Sequence, residues 1–135
     1  MTSSVSALQA ALAAENAAIY GYGVVGAYLS GSLASTAQAD WHAHLLARDS
    51  LQSMISALGA TPVAASAAYS LPFTVNDSAS AVRLAAYLET GVTSAYLGVV
   101  GVADTSLRDF GAQAMRDPAL RAARWSGSTE AFPGY

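Results

Sequence analysis

Residues 8–27 read LQAALAAENAAIYGYGVVGA, and this stretch decides the fold class. Its larger side chains recur at intervals of three and four, the spacing of one face of an α-helix. The residues on this stripe are Leu8, Leu12, Glu15, Ile19, Tyr22 and Gly26. The pattern predicts a helix over residues 4–29 that places Glu15 among apolar neighbours. A carboxylate in that setting must be paired, protonated or bound to a metal, because an isolated buried charge is very unfavourable.

Three further helical patterns follow the first. They predict a second helix over about 32–58, a third over about 77–102, and a fourth from about residue 104 that is kinked or broken near Pro118. His44 and Arg48 share an apolar stripe on the second helix, and Glu89 and Tyr96 share one on the third. The sequence therefore predicts an all-α fold, a four-helix bundle, that forms a single domain over residues 1–135.

The segment between the second and third helices, residues 60–76, contains two prolines and no periodic pattern. Loops of this length are uncommon inside compact domains. A helix of about 26 residues spans roughly 39 Å, and about 17 extended residues can cover that distance. We therefore expect a long crossover that leaves the second and third helices parallel.

Composition excludes several classes of function. The chain has 135 residues, a net charge of −3, six arginines as its only Lys or Arg residues, and no cysteine. Cysteine-based catalysis, disulfides and cysteine zinc sites are therefore excluded. The absence of a basic run argues against nucleic acid or an anionic membrane as a partner. No signal-like start or uninterrupted apolar span is evident, so we expect a cytoplasmic protein.

Four segments together resemble the actinobacterial ferritin-like domains of unknown function. They are the stretch 8–27 quoted above, HLLARDSL at 44–51, GATPVAASAAYSLPF at 59–73 and RAARWSGSTEAFPG at 121–134. The resemblance covers nearly the whole chain and implies a ferritin-like four-helix fold, but it brings no established activity. Many such sequences carry histidine directly after the glutamate of the first helix, where this chain has Asn16.

A di-iron carboxylate site takes one glutamate from each of two helices and a Glu-x-x-His pair from each of the other two. Glu15 and Glu89 match the single-glutamate positions. The residue three before His44, however, is Trp41, and Asp40 lies four before it. The fourth helix carries neither glutamate nor histidine. The standard site is therefore incomplete, which leaves a reduced iron or manganese site formed by Glu15, His44 and Glu89 as one hypothesis.

The other hypothesis for the same residues is a buried polar network without metal. Arg48 and Arg121 would neutralise Glu15 and Glu89, with His44 as a further member. Such networks fix register more than they stabilise. On this interpretation, Arg48→Leu should cost roughly 3–5 kcal/mol, because it strands a buried charge.

Three functional classes remain open. The first, which we favour, is a non-catalytic scaffold or binding protein with a degenerate metal site. The second is an atypical iron- or manganese-dependent oxidase or iron-handling protein. The third is a module that binds an apolar ligand in an elongated cavity lined by Tyr22 and Tyr96. In each case the apolar outer faces of helices 1 and 3, where Gly91 and Gly98 allow close approach, predict a homodimer.

Overall fold

The computed structural model describes residues 3–127, and every regular element in that range is an α-helix. The all-α prediction is confirmed. The helices are α1 (Ser4–Ala27), α2 (Gly31–Ala57), α3 (Ser78–Val100), α4 (Thr105–Ala114) and α5 (Arg116–Ser126). The sequence also predicts an irregular tail over residues 126–135; Ser126 instead ends α5, and residues 128–135 lie outside the described range.

Local signals in the sequence set most of the helix ends. Ser3, Asp77 and Asp104 each accept a hydrogen bond from a backbone N–H in the first turn of the helix that follows. Gly59 has a φ of 82° just beyond the end of α2, a conformation that favours glycine at this position. The structure places the interruption of the predicted fourth helix at Met115, and Pro118 lies in the first turn of α5, where its missing N–H is tolerated.

The crossover, residues 58–77, runs from one end of the bundle to the other. Near its start, the Gln9 side chain donates to the carbonyl of Thr61 at 2.7 Å and accepts from the N–H of Val63 at 2.7 Å. Just beyond its end, the hydroxyl of Ser78 donates to the carbonyl of Tyr28 at 3.1 Å. These contacts lie at opposite ends of α1, so α2 and α3 run parallel to each other and antiparallel to α1.

Two apolar clusters form the core, with a polar layer between them. The lower cluster contains residues of α1, α2 and α3, among them Leu8, Leu12, Leu51, Ile55, Val92 and Val99. The upper cluster contains Tyr22, Val25, Ala37, Ala81, Leu84, Ala85 and Trp125. The inward face of α1 is the stripe that carries Leu8, Leu12 and Glu15, while Ala10 and Ala13 on the other side are exposed.

Helix α4 packs closely on α3 through a glycine. A Cβ added to Gly111 would lie 3.0 Å from the backbone nitrogen of Val100 and 3.1 Å from the carbonyl oxygen of Tyr96. Gly91 and Gly98 have open space at the same position, so nothing in the described chain approaches them. No helix within residues 3–127 approaches α3 closely at these two glycines.

Candidate functional site: a buried ionic network

His44 is the centre of the polar layer and is fully buried. Its Nδ1 lies against Oε1 of Glu15, and its Nε2 is 2.8 Å from Oε2 of Glu89. An ionised carboxylate only accepts hydrogen bonds, so with both glutamates ionised each ring nitrogen donates and the ring is an imidazolium. Three helices meet at this contact because each places one side chain on its inward stripe at the same level.

Two tyrosines also donate hydrogen bonds to the glutamates. The Tyr96 hydroxyl donates to Oε2 of Glu15 at 2.6 Å, and the Tyr22 hydroxyl donates to Oε2 of Glu89. The pKa of each tyrosine lies far above its ordinary value. Burial is the main cause, and the adjacent carboxylate raises the pKa further. Both hydroxyls therefore remain donors at neutral pH.

Helix α5 supplies the remaining cations. Nε of Arg121 donates to Oε1 of Glu89 at 3.1 Å, and Arg124 forms an ion pair with Asp40 of α2. The indole N–H of Trp125 lies 2.9 Å from Oδ2 of Asp40 and 3.0 Å from the Tyr22 hydroxyl. Arg121, Arg124 and Trp125 occupy positions i, i+3 and i+4 of α5, which lie on one side of the helix.

The charges of this ionic network cancel. With its carboxyl groups ionised, the network holds three negative groups (Glu15, Glu89 and Asp40) and three positive ones (His44, Arg121 and Arg124). Every buried side-chain nitrogen and oxygen in the described chain has a hydrogen-bond partner. A buried ionic network is tolerated only under these two conditions.

The network shifts the pKa values of its members in opposite directions. Burial alone would lower the pKa of His44, but the hydrogen bonds to Glu15 and Glu89 raise it to about 9. Burial alone would raise the pKa of Glu89, but the hydrogen bond and charge of His44, together with Arg121, hold it below its usual value. His44 and Glu89 are therefore both charged at neutral pH.

The structure brings together Glu15, His44, Glu89 and Arg121, four of the five residues predicted for the network. Arg48 is not among them, and its predicted role is wrong. Its side chain is 33% exposed and pairs with the neighbouring Asp49 at 3.0 Å. The place predicted for an arginine beside Glu15 is taken by Tyr96 and His44.

Asp40, Arg124 and Trp125 belong to the network, and the sequence analysis did not assign them to it. The sequence held a signal for two of them. Asp40 lies one helical turn before His44, and Arg124 lies three residues after Arg121. We had considered Asp40 only as a metal ligand, for which its spacing was unsuitable.

Two clefts reach the tyrosines from outside. One, of about 180 Å³, lies between α2 and the α4–α5 segment and is lined by Glu15, Tyr96 and Arg121, among others. The other, of about 310 Å³, lies between α1 and α2 and is lined by Tyr22 and Trp41, among others. These two clefts are separate, with Tyr96 lining the first and Tyr22 the second, and the ionic network lies between them.

The donor atoms of the network bear on the iron or manganese site predicted from Glu15, His44 and Glu89. Each ring nitrogen of His44 lies against a carboxylate oxygen, and each oxygen of Glu15 and Glu89 already has a hydrogen-bond partner within the protein. No group of three His, Cys, Asp or Glu side chains in residues 3–127 has the geometry to hold a metal ion. The residues present do not fit an iron or manganese centre in this arrangement.

No helix within the described range is long and apolar enough to cross a bilayer.

No match was found among curated proteins. Among solved structures, the chain is similar to a conserved hypothetical protein, rv2844, from Mycobacterium tuberculosis. The sequences are 35% identical, the match covers 93% of this chain and 96% of that one, and the TM-score is 0.88. Residues 7–135 match the family described as a domain of unknown function, DUF4439, and the chain belongs to that family.

Proposed function

We propose that this protein is a non-catalytic scaffold or binding protein, built on a ferritin-like bundle in which protein cations hold the inward carboxylates. The observation that carries the proposal is the position of His44 between Glu15 and Glu89, with each ring nitrogen against an oxygen of one glutamate. Three features support the ferritin-like assignment. Helices α2 and α3 are parallel, a long crossover joins them, and α1 and α3 each carry an inward glutamate.

The energetics favour protein cations over a metal ion at this centre. Binding a metal through His44 would first require loss of a proton from a group whose pKa is about 9. A metal ion would also compete with the hydrogen bonds that Tyr96 and Arg121 donate to Glu15 and Glu89. A metal ion would have to compensate for both changes in a site that is already electrically neutral.

Metal analysis tests this proposal. Protein purified without chelator or metal-affinity resin is analysed by elemental mass spectrometry, before and after anaerobic incubation with ferrous iron or manganese and desalting. We expect no stoichiometric metal in either sample. Near-stoichiometric metal that is lost in Glu15→Ala and kept in His42→Gln would contradict the proposal, because His42 is exposed and lies outside the network.

The second candidate function is the atypical iron- or manganese-dependent oxidase or iron-handling protein that uses Glu15, His44 and Glu89. One observation favours it, since the cleft between α2 and α4–α5 gives small molecules a route to Glu15 and Tyr96. It predicts oxygen uptake when ferrous iron is added, and loss of that uptake in His44→Gln. Absence of uptake above the rate of free ferrous iron would exclude it.

The proposed scaffold acts as a cytoplasmic homodimer that associates through the outer faces of α1 and α3. Tyr87 and Leu97 are 54% and 56% exposed on α3, close to Gly91 and Gly98, which have open space above them. Small residues beside large apolar ones allow two helices to approach closely while burying apolar area. This face has no partner among the helices of the described chain, which is why we assign it to a second copy.

A further inference from the structure

Small side chains of α2 keep open the cleft between α2 and the α4–α5 segment. Ala43, Ala47 and Ser50 line it at intervals of four and three, the spacing of one side of a helix. The opposite wall lies at the break at Met115, with Ala114 at the end of α4 among its residues. Because α2 contributes only side chains of this size, a space of about 180 Å³ remains between the two walls.

The cleft has the size and lining for a small molecule with an apolar part. A cavity of about 150 Å³ holds a benzene ring, so this volume corresponds to a ligand of about six to eight non-hydrogen atoms. The buried Glu15 and Tyr96, which are joined by a hydrogen bond of 2.6 Å, form the floor. The apolar residues of the walls are Ala43, Ala47, Phe110, Ala114 and Pro118.

Arg121 has hydrogen-bond donors left over for a ligand in this cleft. Its Nε donates to Oε1 of Glu89 at 3.1 Å, and within residues 3–127 its two terminal nitrogens have no acceptor. The Arg121 side chain lines the cleft and is only 14% exposed. A guanidinium binds a carboxylate through two parallel N–H···O bonds. The cleft therefore offers a carboxylate group a largely buried cationic partner.

Asp117 provides a charge of the opposite sign at the mouth of the same cleft. It lies in the first turn of α5, one helical turn before Arg121, and its side chain is exposed. The spacing of four residues places both side chains on one side of the helix. Asp117 nevertheless makes no ion pair or hydrogen bond with any residue in the range 3–127. Its carboxylate is therefore available to an ammonium group of a ligand.

The charges around the cleft favour a ligand that carries both signs. His44 balances Glu15 at the floor, and Glu89 balances Arg121. A ligand with only a carboxylate would bring an uncompensated negative charge close to Glu15 and Asp117. A ligand with only an ammonium group would bring an uncompensated positive charge close to Arg121. Both are unfavourable in a partly buried site, whereas a zwitterion adds no net charge and pairs with Asp117 and Arg121 at once.

We propose that the cleft binds a small aliphatic α-amino acid, with its carboxylate on Arg121, its ammonium group at Asp117 and its side chain on the apolar walls. Valine falls within the size range that the volume sets. The inference deepens the proposed binding function and rests on it, because the ion pair with Glu89 holds the guanidinium of Arg121 at the cleft.

Isothermal titration calorimetry of metal-free protein with L-valine tests the proposal. Each of two analogues keeps one charged group: 3-methylbutanoate has no ammonium group, and 2-methylpropylamine has no carboxylate. We expect L-valine to bind and each analogue to bind more weakly by about tenfold, because each loses a charge-assisted contact. No binding of L-alanine, L-valine or L-leucine at millimolar concentration would overturn the proposal. Equal binding of L-valine and either analogue would also overturn it, since one charged contact would then be missing.

Two pairs of variants test whether the amino acid lies in this cleft. Asp117→Asn should weaken L-valine binding by about fivefold, the effect of losing one partly exposed ion pair. Asp109→Asn, at an exposed position outside the cleft, should leave binding unchanged. Ala47→Leu fills the cleft and should abolish binding, whereas Ala39→Leu makes the same change at an exposed position of α2 and should not.

Wild-type affinity in both Asp117→Asn and Ala47→Leu would overturn the proposal, because the ligand would then bind elsewhere. If Ala47→Leu does not fold, Asp117→Asn decides, since an exposed side chain can be changed without disturbing the core.

Elemental analysis of the same samples separates this inference from the proposed function. Protein that holds no metal and binds no amino acid would overturn the inference and leave the metal-free ionic network standing. Stoichiometric metal held by Glu15 and Glu89 would contradict the proposed function, and the inference with it, because Arg121 would then have lost its partner.

Discussion

His44 holds the two buried glutamates together, so its removal strands both of them. We predict that His44→Leu lowers the free energy of unfolding by roughly 3–5 kcal/mol, the usual cost of an uncompensated buried charge. Arg48→Leu is the matched control on the same helix. Its ion pair with Asp49 is partly exposed, and such pairs contribute about 0–1 kcal/mol. Urea unfolding followed by circular dichroism measures both values.

This prediction reverses the one made from the sequence for Arg48. A loss of several kcal/mol in Arg48→Leu together with a small loss in His44→Leu would show that the arginine, and not the imidazole, balances the glutamates. Equal small losses would show that the carboxylates are not ionised in the folded protein.

The pH dependence of stability follows from the raised pKa of His44. A group whose pKa is higher in the folded state stabilises the fold below its unfolded pKa, near 6.5, and loses that contribution as pH rises towards about 9. We predict that the free energy of unfolding falls between pH 6.5 and 9 by up to about 1.4 kcal/mol per pH unit. Urea titrations at half-unit pH steps measure this slope.

His44→Gln is the control for the pH series, because it removes the titrating group and should flatten the curve in that range. The lowered pKa of Glu89 acts in the other direction, so its contribution is lost as pH falls below about 4.5. A wild-type profile that is flat from pH 6.5 to 9 would contradict an imidazolium at the centre of the network.

Glu15, His44 and Glu89 could be identified from the sequence because each interrupts an apolar stripe at helical spacing. The choice between Arg48 and Arg121 could not be made in the same way. Both arginines fit an inward stripe, and which one reaches a glutamate depends on how α5 packs on α3 and how far each side chain extends towards solvent.

At the scale of the elements, two faces of α3 differ in how closely they are packed. One face contacts Gly111 of α4, and the face that carries Gly98 is open. The contact of Gly111 with the α3 backbone leaves no room for a Cβ, whereas the space above Gly98 is open. We predict that Gly111→Ala destabilises the fold by about 1–3 kcal/mol through steric overlap. Gly98→Ala should stabilise the folded chain by about 0.5–1 kcal/mol, because alanine favours the helix. Thermal unfolding of the two variants gives the comparison.

The opposite signs make this test specific. Destabilisation by Gly98→Ala in a dilute, monomeric sample would mean that a segment of the chain packs over that face. A neutral Gly111→Ala would mean that α4 and α3 are further apart than the structure shows.

The helices and the crossover could be predicted because periodicity, capping residues and two prolines mark them in the sequence. The interruption of the fourth helix was harder to position, since it lies at Met115, three residues before the proline that signals it. Proline is accepted in the first turn of a helix, so Pro118 marks the beginning of α5 and not the point of the break.

At the scale of the whole molecule, the outer faces of α1 and α3 predict self-association. Sedimentation velocity should show a dimer at micromolar concentration. Leu97→Glu should shift it towards monomer, because it places a charge in an apolar contact. Leu120→Glu is the control, since Leu120 is 66% exposed on α5, away from that face. A wild-type protein that remains monomeric at high concentration would contradict the dimer.

The central claim is that a protonated His44, and not a metal ion, balances Glu15 and Glu89. The most direct test is a nitrogen-15 NMR spectrum of histidine-labelled protein at pH 7, with and without one equivalent of manganese. The chain has only two histidines, so His44→Gln assigns the signals. We predict that both ring nitrogens of His44 carry protons and that manganese leaves its signals unbroadened. A neutral imidazole whose signals manganese broadens selectively would contradict the claim and identify His44 as a metal ligand.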